Sequence, residues 1–165
     1  MNRMLFSLLA AIALGFSNLS LANEDSDLKI KSSVQDLNYK NNTMYFAGEV
    51  IVSQGSISIN ADELFVETKD GAGDKLVAKG KPAKFIQKDA TNGDLTAKAD
   101  VVEYYVESQI LKLLGNAHFQ QGGSEVKSGN IEFDLAAQRV KADGDEATGG
   151  RVTTTIKTKK KSDPE

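Results

Sequence analysis

The sequence predicts an all-β fold, a twisted antiparallel β-jelly roll built from repeated short strands. Apolar and polar side chains alternate with period two along most of the chain after residue 22, as in strands with one buried face. Pairs rich in glycine and asparagine separate these runs. One alternating phrase also recurs: Ala83, Phe85 and Gln87 repeat as Ala117, Phe119 and Gln121, and Val50, Val52 and Gln54 fill the same positions earlier.

The alternation is clearest in four runs, 50–54, 57–62, 95–100 and 131–136. Aliphatic or aromatic residues take every second position, with small or charged residues between them, which is typical of half-buried antiparallel strands. Turns are predicted between strands at seven pairs: Asn41 and Asn42, Gln54 and Gly55, Asp70 and Gly71, Asn92 and Gly93, Gly122 and Gly123, Asp143 and Gly144, and Gly149 and Gly150.

The segment from Ala99 to Leu114 admits a second interpretation. Val102, Val106 and Leu113 partly fit a helical period, so one helix is possible there. The β-branched and aromatic content of the segment favours strands instead. With a turn at 107–109, the segment is predicted to form two strands.

Glycines recur about every 30 residues along the chain, a spacing within the range of repeat lengths in repeat proteins. Gly48, Gly80, Gly115 and Gly144 are each predicted to end a strand, and the alternating phrase follows the first three. Each repeat would then contain about four short strands. Stacked repeats bury a shared apolar face, which predicts an elongated roll.

The two ends of the chain are predicted to lie outside the roll. A short positive segment at Arg3, an apolar run and small residues at Ser20 and Ala22 predict a cleaved secretory signal peptide over residues 1–22. A retained anchor is the alternative, but the run is short for a membrane span of about 20 residues. The roll is assigned to residues 23–156 and a charged, disordered tail to residues 157–165, where Lys157 and Lys159–Lys161 are the basic residues.

Composition argues against several classes of function. The chain of 165 residues has no cysteine, one histidine and a formal net charge of −3. Zinc coordination and a Ser-His-Asp triad have no candidate residue set, and a nucleic-acid binder would carry a basic stripe. His118 alternates with Ala117 and Phe119, so it is predicted to face outward in solvent. We therefore expect no enzyme, cofactor or metal site.

The predicted inward side chains recur in every repeat and form an apolar stripe. An ordinary sealed core is one interpretation; an interior left open as an apolar trough is the other, and periodicity does not separate them. The terminal strands, near Leu28 and near Ile156, would each leave an unpaired edge. Because the two edges differ, pairing between copies would run head to tail and need not close a ring.

Four segments resemble the OstA-like family, and together they extend over the mature chain. They read GEVIVSQGSISINADEL (48–64), GKPAKFIQ (80–87), GNAHFQQ (115–121) and RVTTTI (151–156). The resemblance implies a periplasmic antiparallel jelly roll whose apolar interior shields the lipid A acyl chains of lipopolysaccharide. It also implies head-to-tail filaments that join a membrane-anchored transport partner of the inner membrane to the amino-terminal domain of an outer-membrane translocon, for outer-membrane assembly.

The resemblance assigns roles to two sets of residues. The lipid-lining set is Leu28, Ile30, Phe46, Val52, Ile59, Leu64, Phe85, Tyr104, Phe119 and Phe133. The interface set, for contacts between copies, is Leu28, Ile30, Val152, Thr154 and Ile156. The alternative function is a periplasmic scaffold with a closed core that binds protein rather than lipid.

Overall fold

A computed structural model describes residues 27–69, 72–146 and 149–158, and these form one antiparallel sheet. The sheet order is β1-β3-β4-β5-β6-β7-β8-β10, with β2 also paired to β3 and β9 also paired to β8. The strands are β1 (Lys29–Lys31), β2 (Val34–Asn38), β3 (Thr43–Gln54), β4 (Ile57–Lys69), β5 (Ala72–Gln87), β6 (Leu95–Tyr105), β7 (Ile110–Gln121), β8 (Ser124–Asp134), β9 (Arg139–Asp143) and β10 (Thr153–Ile156).

The all-β prediction is confirmed, and so is the division of the segment 99–114. β6 ends at Tyr105 and β7 begins at Ile110, with a turn between them. Turns also occupy 39–42, 55–56, 122–123 and 149–150. The predicted signal peptide, the turn at Asp70 and Gly71, and Lys159–Lys161 lie outside the described residues.

The prediction that four glycines end strands is wrong for three of them. Gly48, Gly80 and Gly115 lie inside β3, β5 and β7, and only Gly144 follows the end of a strand. Gly48 has φ +78° and Gly115 has φ +77°, a region open mainly to glycine. The backbone bends there and strand pairing resumes beyond the bend, so two predicted short strands are one long, bent strand.

The bends align across the sheet and form a single crease. Pairing shifts register between Ala47 and Val50 on β3, and shifts recur on each following strand pair through β7 and β8. The crease divides the sheet into two limbs. Limb A comprises β1, β10 and residues 50–54, 57–61, 83–87, 95–99, 117–121 and 124–128; limb B comprises β2, β9 and residues 43–47, 63–69, 72–79, 101–105, 110–114 and 130–134.

Two aromatic pairs establish that the limbs face each other. Tyr104 pairs with Leu76 on limb B, and a flat strand from Leu76 to Phe85 would span roughly 30 Å. The rings of Phe85 and Tyr104 nevertheless have centroids 5.5 Å apart. The Phe119 and Phe133 rings, likewise on opposite limbs, are 4.8 Å apart. The sheet is therefore folded at the crease into two layers with the core between them.

Candidate functional site

The interior between the limbs contains most of the predicted lipid-lining set. Phe46, Val52, Ile59, Leu64, Phe85, Tyr104, Phe119 and Phe133 are all buried in one hydrophobic core. Leu28 and Ile30 are half-buried and pack against the end of that core. In this conformation the interior is filled by the chain's own side chains, so it is a sealed core rather than an open trough.

The three positions of the repeated phrase run in order from the crease to the mouth of limb A, and their side chains differ in size and polarity. We call the free ends of the limbs the mouth. Its first position lies next to the crease, where the limbs converge: Ala83 faces Ala99 across the strands, and Ala117 faces Ser128. Small side chains fit this narrow space. The second position carries the larger Phe85 or Phe119. The third position, glutamine, is half-buried and lies at the mouth.

The mouth end of limb A is a continuous cross-strand row. Each residue in it pairs with the next: Gln54, Ile57, Gln87, Leu95, Gln121, Ser124 and Ile156. Leu28 precedes Lys29, the partner of Ser53, and so lies beside Gln54. We call this row the amide rim. Glutamine and aliphatic side chains alternate along most of its length.

The limbs are held together mainly by side-chain contacts. Within the described residues, all strand pairing lies inside one limb or the other. At the mouth, Gln121 Nε2 of limb A donates to Gln138 Oε1 of the β8–β9 turn at 3.1 Å. Near the crease, Ser128 Oγ donates to the carbonyl of Asp143 at 2.6 Å. Separating the limbs at the mouth would therefore break apolar contacts and the bond between Gln121 and Gln138 but leave the ladder hydrogen bonds intact.

The sheet has an unpaired edge at each end over the residues described. β1 and β2 pair only with β3, and β9 and β10 pair only with β8. The predicted interface residues lie at these edges: Val152 is 40% exposed, Ile156 is 67% exposed, and Thr154 is also exposed. Sequence reasoning missed β9, because Val140 and Ala142 are the only alternating apolar residues in so short a strand.

The outer face of limb A carries His118 in a cluster of charge. His118 faces outward as predicted but is only half-exposed, and Glu125 Oε1 lies 2.8 Å from its Nε2. The same oxygen lies 2.8 Å from Lys127 Nζ, whose hydrogen bond lowers the pKa of Glu125 below its usual range. No His, Cys, Asp and Glu group within the described residues is arranged to hold a metal ion.

Burial also affects the one tyrosine inside the core. Tyr104 is packed between the limbs, and burial raises the pKa of its phenol. A neutral phenol suits an apolar interior, because a charged side chain there would lose its hydration.

Over the described part of the chain, no helix is long and apolar enough to cross a membrane.

Relatives of known name match nearly the full chain. The lipopolysaccharide export system protein LptA of Escherichia coli K12 is 35% identical over 152 residues, covering 91% of this chain and 80% of that protein. The protein of the same name from Haemophilus influenzae is 29% identical over 160 residues, covering 94% and 91%. The lipopolysaccharide export system protein LptH of Pseudomonas aeruginosa is 26% identical over 152 residues, covering 91% and 86%.

The fold has a solved counterpart. The crystal structure of LptH from Pseudomonas aeruginosa, the LptA-homologous periplasmic component of a lipopolysaccharide transport device, superposes with a TM-score of 0.75. It covers 82% of this chain and 98% of that one at 21% identity, which establishes a shared fold. Residues 29–139 match the family described as LptA/(LptD N-terminal domain) LPS transport protein. The identity to the Escherichia coli protein and this match establish that the chain belongs to that family.

Proposed function

We propose that this protein is a periplasmic lipopolysaccharide-transport protein that holds the acyl chains of lipid A between its two limbs. The observation that carries the proposal is the interior itself, an apolar layer that runs across the sheet from β1 and β2 to β9 and β10. Each methylene buried from water contributes about 0.8 kcal/mol, so several acyl chains cannot cross an aqueous compartment without such cover. Family membership supports the same cargo.

Loading requires the limbs to part at the mouth. Cross-limb contacts such as the one between Phe85 and Tyr104 are apolar, and an acyl chain replaces them with contacts of the same kind. The ladder hydrogen bonds stay within each limb, so the sheet remains intact while it opens. The crease acts as the hinge, since the strands already bend there.

Lipid uptake in the absence of detergent tests this proposal. Purified mature protein is incubated with lipopolysaccharide, separated by size exclusion, and analysed by mass spectrometry for bound lipid. We expect stoichiometric co-elution of lipid and protein. Protein that remains free of lipid would favour the alternative function, a periplasmic scaffold with a closed core, which the filled interior of the single chain supports.

The two sheet edges support head-to-tail assembly of copies. β1 runs toward the crease and β10 runs away from it, while β2 runs away and β9 runs toward it. A second copy placed alongside would therefore continue both limbs as antiparallel sheets, a form of strand addition. The apolar interior would then extend from one copy into the next.

Continuation of the cross-strand rows fixes a register for this joint. In limb B it sets Val140 opposite Leu37 of the next copy, both of which pack against the core. In limb A it sets Ile156 opposite Leu28 of the next copy. On the outer face, Glu103, Lys112, Glu132 and Lys141 form one row of alternating sign, and the next position is Asp36 of the neighbour.

Engineered cysteines test the joint, because the native chain has none. Opposite residues have Cβ atoms about 4.5–5.5 Å apart, close to the range of a disulfide. A chain carrying Asp36→Cys and Lys141→Cys should form a ladder of disulfide-linked oligomers under mild oxidation. The control pair, Asn38→Cys with Lys141→Cys, is displaced by roughly 6.6 Å and should link poorly. Equal ladders would overturn the register, and a strictly monomeric wild type would overturn the assembly.

The same edges are proposed to meet the partners of the transport path. A membrane-anchored transport partner of the inner membrane would add strands at one edge, and the amino-terminal domain of the outer-membrane translocon would add them at the other. The family description, which includes the LptD N-terminal domain, supports a shared edge chemistry. Charge reversal at Asp36 should weaken binding at the β1–β2 edge, while reversal at Lys141 should weaken binding at the β9–β10 edge. Pull-down with each partner separates the two.

A further inference from the structure

Of the three glutamines of the amide rim, only Gln121 has an evident purpose in the fold, its hydrogen bond to Gln138. β3, β5 and β7 run toward the mouth of limb A and end at Gln54, Gln87 and Gln121. All three lie on the inward face, two positions beyond the buried Val52, Phe85 and Phe119. An aliphatic side chain would extend the core at these positions, as Ile57 and Leu95 do in the same row.

The equivalent positions of limb B show whether the fold needs glutamine at the mouth. β4, β6 and β8 run toward the mouth of limb B, and two positions beyond the buried Val66, Tyr104 and Phe133 lie Thr68, Val106 and Leu135. Two of these are apolar, and the Thr68 hydroxyl donates to the carbonyl of Asn42 at 3.3 Å. The fold thus does not require an amide where a strand reaches the mouth, since none of these three positions of limb B carries one.

The glutamine amides also differ in their partners. Gln121 donates to Gln138 across the mouth. The side-chain amides of Gln54 and Gln87 have no hydrogen-bond partner among the described residues, although both side chains are half-buried. Neither amide is among the buried polar atoms that lack a partner, so both remain open to solvent and available to a ligand at the mouth. Two such groups at equivalent places in one row point to a shared partner from outside the chain.

We propose that Gln54, Gln87 and Gln121 bind the neutral polar linkage region of an acylated glycolipid, where ester, amide and hydroxyl groups join the acyl chains to the sugar. An amide side chain both donates and accepts hydrogen bonds, so it matches carbonyl oxygens, amide N–H groups and hydroxyls alike. It carries no charge, so it lacks the charge-assisted hydrogen bonds that a lysine or an arginine would give to the phosphates. The inference rests on the proposed function, in which the chains lie between the limbs.

The spacing of the glutamines fits a cargo that moves along the rim. They lie on alternate strands, so successive side chains are about 10 Å apart along the mouth. Each is also roughly 6.6 Å farther from the crease than the core residue before it. The polar linkage would lie at the rim at each step while the acyl chains stay below it. At Gln121, ligand groups replace the hydrogen bond to Gln138.

Replacement of two amides by an aliphatic side chain of similar size tests the rim. The variant carries Gln54→Leu and Gln87→Leu, and the matched control carries Gln120→Leu, an exposed outward neighbour of Gln121. Each protein is titrated with two probes, lipopolysaccharide and palmitate, and its folding is checked by thermal unfolding. We expect the double variant to bind lipopolysaccharide about tenfold more weakly, with palmitate binding unchanged or stronger and the control equal to wild type.

The outcomes separate this inference from the function on which it rests. A wild type that binds palmitate but not lipopolysaccharide, or neither probe, removes the proposed function and the rim with it. A wild type that binds lipopolysaccharide, with a folded double variant that binds it equally well, overturns the rim alone. A double variant that loses both probes equally also overturns it, because the glutamines would then maintain the shape of the interior rather than recognise the polar linkage.

Discussion

The two limbs share one architecture but differ at the mouth and on their outer faces. Limb A ends its inward face with glutamine on three strands, whereas limb B ends it with threonine, valine and leucine. Both limbs place aromatic rings at mid-depth, where Phe85 meets Tyr104 and Phe119 meets Phe133. The apolar middle is therefore common to both limbs, while the inward glutamines at the strand ends belong to limb A.

The outer faces differ in how their charges are arranged. Limb A carries three lysines and a histidine in one cross-strand row, Lys84, Lys98, His118 and Lys127, in which Glu125 lies beside His118 and Lys127. Limb B carries the alternating row of Glu103, Lys112, Glu132 and Lys141, with Lys112 Nζ 3.6 Å from Glu132 Oε2. Opposite charges across strands stabilise a sheet and like charges destabilise it. The adjacent Lys84 and Lys98 are thus expected to destabilise the sheet of limb A relative to that of limb B.

The largest expected effect is the loss of stability when an inward rather than an outward aromatic residue is truncated. Phe85→Ala on limb A should lower the free energy of unfolding by about 3–5 kcal/mol, because it leaves a cavity between the limbs. The matched control is Phe65→Ala on the outer face of limb B, where the ring is 38% exposed and the loss should be about 1 kcal/mol or less. Denaturant titration measures both. Equal losses would contradict the inward assignment of Phe85.

The crease, which both limbs share, should be the next most sensitive feature. Gly115 has φ +77°, and an added Cβ would lie 2.7 Å from Asp100 Oδ2. Gly115→Ala should therefore cost about 1–3 kcal/mol in thermal unfolding. Gly123→Ala is the control, because its added Cβ would make an ordinary contact with Lys157 at 3.6 Å. A Gly115→Ala variant as stable as the control would show that the bend does not depend on glycine.

Charge reversal should act in opposite directions on the two limbs. Lys98→Glu places an acid between Lys84 and His118, and should raise stability by about 0.2–1 kcal/mol. Lys112→Glu places an acid between Glu103 and Glu132, and should lower stability by a similar amount. Both changes should shrink in high salt. Stability changes of the same sign in the two variants would contradict an electrostatic difference between the limbs.

The smallest effect concerns the β5–β6 loop at the end of limb A. The backbone N–H of Asn92 donates to Asp89 at 2.9 Å and lowers the pKa of this carboxyl, with further bonds from the Asn92 side chain and the Thr91 N–H. A lowered folded pKa stabilises the fold above the usual carboxyl range, and that stability is lost as pH falls through the folded pKa. Asp89→Asn should thus be slightly less stable at neutral pH but not in strong acid. A pH-independent difference in melting temperature would contradict this.

Much of the sheet is predictable because a two-residue period is a local property. The parity of the apolar residues is enough to assign Phe85, Phe119 and Phe133 to the interior, where all three are buried. The bends are not predictable, since a glycine inside a bulge and a glycine after a strand have the same local sequence signal. Gly115 and Gly144 illustrate the two cases.

Contacts between the limbs cannot be predicted from the sequence, for a related reason. The approach of Phe85 to Tyr104 depends on how far the whole sheet folds at the crease, which no local pattern records. Gln138, which accepts a hydrogen bond from Gln121 across the mouth, lies in a turn and belongs to no repeat. The recurrence of the glutamine is visible in the sequence, but its place at the mouth follows only from the register of the strands.

The location of the acyl chains is most directly tested by photo-leucine, a nearly isosteric analogue incorporated throughout the protein. Leu113 and Leu114 are neighbours on β7; Leu113 is buried between the limbs, while Leu114 is 36% exposed on the outer face. After loading with lipopolysaccharide and illumination, mass spectrometry locates the cross-linked residues. Acyl chains held between the limbs should cross-link to Leu113 and not to Leu114. Cross-links at Leu114 without any at Leu113 would contradict this location.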